Sequence, residues 1–206
     1  RATAECMARA GAKVVVSSRK PAACQAVADA IAASGGEALV VPCNVAEKEQ
    51  LQNLIDQTVA RFGRLDILVC NAAVNPYFGP MAKMPDEAYD KIMHSNVRSN
   101  FWLCNMAAPH MVASGGGSII IVSSIGGRQG SPTLAVYGMS KAADTSLAMS
   151  LAVEWGPKGI RTCAIVPGPF PTEGAWSRLM PKQRGGQEEM IKAIPILART
   201  AGLLAH

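Results

Sequence analysis

The chain has 206 residues, of which 49% are hydrophobic and 17% charged, with a formal net charge of +5. This is one domain's worth of sequence with apolar material for a substantial core. Its apolar runs are strand-sized, well short of the ~20 residues that span a bilayer, and no basic run with interleaved aromatics suggests a nucleic-acid partner.

In chain order, helices and strands alternate. Arg1–Ala10 reads as a helix stopped by Gly11, and Lys13–Val16 as a strand ending at Ser17-Ser18-Arg19. Pro21 suits the first turn of a second helix, with Cys24, Val27 and Ile31 on one face and Gly35-Gly36 at its end. Ala38–Val41 is a strand. A helix from about Glu47 carries Leu51, Leu54, Ile55, Val59 and Phe62 at helical spacing and stops at Gly63. The strand Ile67–Cys70 leads into a polar, Pro-bearing loop and then a long helix from about Asp86 to Val112, broken by Gly115-Gly-Gly117. A strand at Ser118–Val122 follows. A helix carrying Tyr137 runs to Trp155 and ends at Gly156-Pro157, and Thr162–Val166 is a strand closed by Pro167-Gly168. The alternation predicts a single α/β domain, a doubly wound parallel sheet of Rossmann type.

Several residues stand out chemically. Tyr137 and Lys141 are four apart on one helix and share a face. An ammonium beside a phenol favours the phenolate, which predicts a general acid/base working below the ordinary tyrosine pKa of about 10. The plainer alternative is a tyrosine packed on a helix face. Ser124 lies thirteen residues before Tyr137, at the end of the apolar run Ser118-Ile-Ile-Ile-Val-Ser-Ser124, with Ser123 as its alternative. Asn96 falls within His94-Ser-Asn-Val-Arg98, and Asn71-Ala72-Ala73-Val74-Asn75 follows the Ile67–Cys70 strand.

Asn96, Ser124, Tyr137 and Lys141, in that order and in those strand and helix contexts, resemble the catalytic tetrad of the short-chain dehydrogenase/reductase family. The likeness runs from Arg1 to about Gly202 and is nearest to its NADP-dependent carbonyl and retinal reductase branch. It implies an oxidoreductase that moves hydride between a nicotinamide cofactor and a carbonyl compound or its secondary alcohol. Tyr137 would be the acid/base and Ser124 would hydrogen-bond the substrate oxygen. Lys141 would bind the nicotinamide ribose, and Asn96 would organise a water-mediated proton path from Lys141.

In the family the end of the second strand reads the adenosine 2′ position. Ser18 and Arg19 stand there in place of an acid, and a guanidinium suits a 2′-phosphate, so NADP(H) is favoured over NAD(H). The net charge fits such an anionic ligand, or equally well a set of solvated helix faces. Asn44 and Val45 occupy the adenine-contacting place, and Asn71, Ala72 and Ala73 that of the family's N-A-G turn. Pro167, Gly168 and Thr172 match the segment that approaches the carboxamide, with Cys163 upstream where Asn is usual. The loop from about Phe170 to Met190, with Asn75, Tyr77 and Phe78, would select the substrate.

The resemblance also implies a homodimer or homotetramer through the helices 86–112 and 137–155. The family's opening strand and T-G-x-x-x-G-x-G turn have no counterpart, and neither does its final strand, so the chain reads as truncated at both ends. The strands Lys13–Val16 and Ile67–Cys70 would then face each other across an unfilled place in the sheet, and dinucleotide binding would be poor. That opens a rival reading, a catalytically inactive fragment or dimerising remnant. The six cysteines are scattered with no C-x-x-C pair, and the three histidines form no cluster, which fits a reducing, cytoplasmic setting and no metal.

Overall fold

A computed structural model describes residues 1–168. The first helix, α1 (Ala2–Arg9), ends where Gly11 takes a left-handed φ of 91° and Ala12 N–H bonds back to Met7 O. Strand β1 (Val14–Val16) pairs in parallel with β2 (Ala38–Val40), Val15 opposite Leu39. Between them α2 (Pro21–Ala33) starts on Pro21 and buries Cys24, Ala28 and Ile31. Helix α3 (Lys48–Phe62) buries Leu51, Ile55 and Thr58 and stops at Gly63, whose φ is 74°.

Strand β3 (Ile67–Cys70) pairs with β4 (Gly117–Val122), and β4 with β5 (Ile160–Ile165), all in parallel. Three helices accompany this sheet: α4 (Asp86–Met93), α5 (Ser99–Ala113) and α6 (Ala135–Trp155). The long predicted helix 86–112 is thus α4 and α5 joined through a π-helical turn, His94–Arg98. Strand β5 begins two residues earlier than Thr162. The left-handed Gly159, φ 83°, delivers the chain directly into the ladder, where Gly117 N–H bonds Gly159 O at 3.2 Å.

The main core lies between α3, α5 and α6 and the three-stranded sheet, around Leu51, Ile55, Leu103, Met111, Ile119 and Leu151. Ala8, Cys24, Ala28 and Ile31 are buried outside it, between α1, α2 and the first two strands. The chain is a Rossmann-type α/β fold, but among the described residues its ladder is in two pieces, β1–β2 and β3–β4–β5. No described strand joins β1 to β3, the place where the sequence predicts a gap. Ile67 is 43% exposed there, although it sits in a strand with a partner on its other side. Among the described residues no helix is long and apolar enough to cross a membrane, and no group of His, Cys, Asp or Glu could hold a metal ion.

Candidate active site

The site forms where β4 runs out beneath the N-terminal turns of α6. At the end of β4 the chain places two serines with different fates. Ser123 is buried, and its hydroxyl donates to Lys141 O at 2.6 Å and meets Thr145 Oγ1 at 3.1 Å, tying the strand to α6. Ser124 is half-buried; its Oγ accepts from Gly126 N–H at 3.1 Å and caps the short 3-10 turn Ile125–Gly127. The Ser124 hydroxyl lies beside the Tyr137 phenol, near enough to pull its pKa down.

That pairing depends on glycines. A Cβ on Gly138 would stand 2.5 Å from Gly126 O, and one on Gly127 would stand 2.7 Å from Lys141 C and Ala142 N. With neither present, the turn rests directly on the α6 backbone and sets Ser124 beside Tyr137.

The phenol does not behave as the Tyr–Lys spacing predicts. Burial raises the Tyr137 pKa above its ordinary value; the Ser124 hydroxyl beside it pulls it down and the Asp144 charge adds to the rise. Lys141 is close, with Nζ 5.9 Å from the Tyr137 ring centroid, but its charge is answered elsewhere. Its ammonium donates to Val122 O at 2.8 Å and to Asp144 Oδ2 at 2.9 Å, so two of three N–H groups are committed inside the protein. The expected phenolate-favouring cation is one half of a buried ion pair.

Asn96 is tied down by the protein itself. It is fully buried in the π-turn, and its side chain clamps the loop after β3, accepting from Val74 N–H at 2.8 Å and donating to Val74 O and Ser140 Oγ, both at 3.0 Å. It does not meet Lys141. The link between them runs through Asn100, whose Nδ2 donates to Asn96 O at 2.7 Å and to Asp144 Oδ1 at 2.9 Å. Asn100 and Asp144 escaped the sequence reading. The available signal was their spacing, four after Asn96 and three after Lys141, which keeps each pair on one helix face.

The predicted cofactor residues are spread along the strand ends. Asn71, Ala72 and Ala73 are exposed directly after β3. Pro167 O accepts from Ile125 N–H at 2.9 Å, which brings the Pro167-Gly168 segment beside the Ser124 turn. Thr172 and the loop 170–190 lie outside the described residues. Asn44 forms a local turn before α3, with Oδ1 accepting from Ala46 N–H, and Val45 packs on the main core.

The Ser18 hydroxyl accepts from Lys20 N–H and meets Cys24 Sγ at 3.1 Å, while Arg19 projects exposed beside it. The donor set suits the reactive end of a nicotinamide dinucleotide, with Ser124 and Tyr137 both partly exposed just beyond β4. Ser18 is engaged by its own turn, and the side chains of Arg19 and Lys20 beside it are exposed. In the loop after β3, both polar atoms of the Asn75 carboxamide are buried without a partner among the described residues. Tyr77 spends its hydroxyl on Pro80 O at 2.9 Å.

Comparison with known proteins bears on this arrangement. Residues 1–201 match a family model described as enoyl-(acyl carrier protein) reductase. The chain is 40% identical to dehydrogenase/reductase SDR family member 4 of Sus scrofa over 186 residues, covering 89% of the chain and 66% of the relative. It is 38% identical to the Homo sapiens protein of the same name, covering 95% of the chain and 69% of the relative. The chain thus spans about two thirds of the length of these relatives.

Among solved structures, a 3-ketoacyl-ACP reductase from Sinorhizobium meliloti 1021 superposes with a TM-score of 0.81 at 34% identity, covering 84% of this chain and 68% of that one. A 7α-hydroxysteroid dehydrogenase complexed with NADH and 7-oxo glycochenodeoxycholic acid superposes with a TM-score of 0.80, also at 34% identity, covering 85% and 68%.

Proposed function

The chain belongs to the short-chain dehydrogenase/reductase family, and from that premise we propose that it moves hydride between NADP(H) and a carbonyl compound or its secondary alcohol, with Tyr137 as acid/base. The observation that carries the reading is the Ser124–Tyr137 pair, held side by side at the end of β4 by the glycine-mediated contact of the Ile125–Gly127 turn with α6. The nicotinamide, when bound, supplies or accepts the hydride. Tyr137 gives its proton to the substrate oxygen as negative charge develops there, and Ser124 donates a hydrogen bond to the same oxygen. The third Lys141 N–H is the donor left for a ribose hydroxyl. The unpartnered Asn75 carboxamide supports a polar contact to the substrate from the loop after β3.

NADP(H) is the proposed cofactor, although one solved relative is complexed with NADH. The exposed Arg19 next to Ser18 supports the choice, because a guanidinium offers paired donors to a phosphate. Turnover of carbonyl substrates is expected to be faster with NADPH than with NADH. Arg19→Ala should weaken NADPH by about 1.5–3 kcal/mol and leave NADH nearly unchanged. Equal loss for both cofactors would remove Arg19 from the 2′-phosphate role.

We also propose self-association through the helices 86–112 and 137–155. Met139, Met149 and Val153 form an exposed stripe on α6, Val153 at 79% exposure, and Phe101 and Val112 are exposed on α5. Sedimentation velocity is expected to give a dimer or tetramer, and a monomer at micromolar concentration would end this proposal.

A further inference from the structure

Among the described residues, Lys141 and Asp144 are the oppositely charged side chains that are fully buried, and they pair with each other at 2.9 Å. The pair is well anchored. Val122 O holds the ammonium from β4, and Asn100 holds the carboxylate from α5 while also gripping Asn96 O of the π-turn. Nothing in the Tyr137–Ser124–Lys141 chemistry requires an acid at this place. A buried carboxylate is costly, so its position 2.9 Å from the lysine that faces Tyr137 calls for an account.

An unpaired ammonium near a phenol favours the phenolate, a base. A charge-neutral pair leaves the phenol protonated, as a donor. Carbonyl reduction consumes a proton from Tyr137, whereas alcohol oxidation needs Tyr137 deprotonated first. We propose that Asp144 is a positioning residue that holds Lys141 in a charge-neutral buried pair, so that Tyr137 stands as a proton donor and the site is set kinetically for reduction at neutral pH. The inference rests on the acid/base role given to Tyr137 above. The rise of the Tyr137 pKa by burial, with the Asp144 charge adding to it, agrees in direction.

Among the described residues no other charged side chain is buried against the pair. Cys70 of β3 and Cys104 of α5 face the pair, Sγ to Sγ 3.8 Å apart, and the Cys104 contact together with burial pushes the Cys70 thiol up, keeping it neutral. His94 of the π-turn bonds Ala46 O and packs on Trp102. Arg98, Arg128 after the 3-10 turn, and Arg161 and Cys163 on β5 are exposed, as are the α4 residues Asp86, Glu87, Tyr89, Asp90 and Lys91.

The test follows the ultraviolet absorption of the phenolate through an alkaline titration of the whole chain. The chain has three tyrosines, so the Tyr137 component is obtained by subtracting the titration of Tyr137→Phe. Asp144→Asn keeps the shape and an acceptor for Asn100 but removes the charge. It is expected to move the Tyr137 titration to lower pH, giving about tenfold more phenolate at a fixed pH below the midpoint. Lys141→Met leaves the carboxylate and is expected to move the titration the other way, which keeps the idea testable if Asp144→Asn folds poorly. In turnover, the pH profile of alcohol oxidation should shift to lower pH in Asp144→Asn. A Tyr137 titration unmoved by either substitution overturns the role of Asp144. The titration needs neither cofactor nor substrate, so absence of turnover would count against the proposed activity alone.

Discussion

The residues from Ile67 to Ile165 and those before them solve the same structural problem with different means. In the later region three strands share one ladder, α5 and α6 pack on it, and the polar groups between them are buried and bonded: Asn96 to Val74 and Ser140, Ser123 to Lys141 O, Asn100 to Asp144, Asp144 to Lys141. In the earlier region two three-residue strands pair, among the described residues, only with each other. Exposed ion pairs of Glu37 with Lys13 and Arg61 fasten their flank, contacts that water and salt weaken. Helix α3 is the bridge between the regions, through Leu51 and Ile55 in the main core and Lys48 over the Trp102 ring. The contrast separates two jobs. Proton chemistry needs groups fixed to a few tenths of an ångström, and the later region supplies that fixity; recognising an extended anionic ligand can be left to surface donors such as Arg19.

The contrast can be broken by comparing two buried isoleucines. Ile119, fully buried in β4, anchors the main core, and Ile119→Ala is expected to cost about 4 kcal/mol in urea unfolding. Ile31, equally buried but in the small cluster under α1 and α2, should cost nearer 2 kcal/mol on truncation, because that cluster opens locally before the rest unfolds. Equal costs would mean that the two regions unfold as one unit. A finer comparison lies inside the later region. Gly138→Ala places a methyl against Gly126 O and should destabilise by about 2 kcal/mol while displacing Ser124. Gly130→Ala, where a Cβ meets nothing within 4 Å, should change little. If the two alanines behave alike in thermal melts, the close approach of the turn to α6 is not what holds the site.

Much of this architecture is legible in the sequence because it is carried by local signals. Pro21 at the start of α2, Gly63 at the end of α3 and the run Ser118–Val122 each announce an element within a few residues of its place. The split ladder could also be anticipated from the strand order, because it follows from which strands the sequence supplies. The upward push of burial and Asp144 on the Tyr137 pKa could not. The Tyr137–Lys141 spacing places a cation near the phenol, but whether that cation acts on it depends on Asp144, and the charge of a buried pair is set by partners from β4 and α5. The π-turn was hidden too: Asn96 reads as a helical position, and nothing local in the sequence announces the turn it occupies or its bonds to Val74. Ser123 and Ser124 differ only in which way the chain turns after β4, and the glycines that decide it, Gly127 and Gly138, lie three and fourteen residues beyond Ser124.

The central claim is that Tyr137, held against Ser124, transfers the proton in carbonyl reduction. Its most direct test is the rate of carbonyl-dependent NADPH oxidation by the wild-type chain and by Tyr137→Phe, with NADPH affinity measured on both by calorimetry. The expected result is a loss of about a thousandfold in turnover with cofactor affinity essentially unchanged. Equal turnover by the two proteins, or no NADPH-dependent turnover by the wild type, would contradict it.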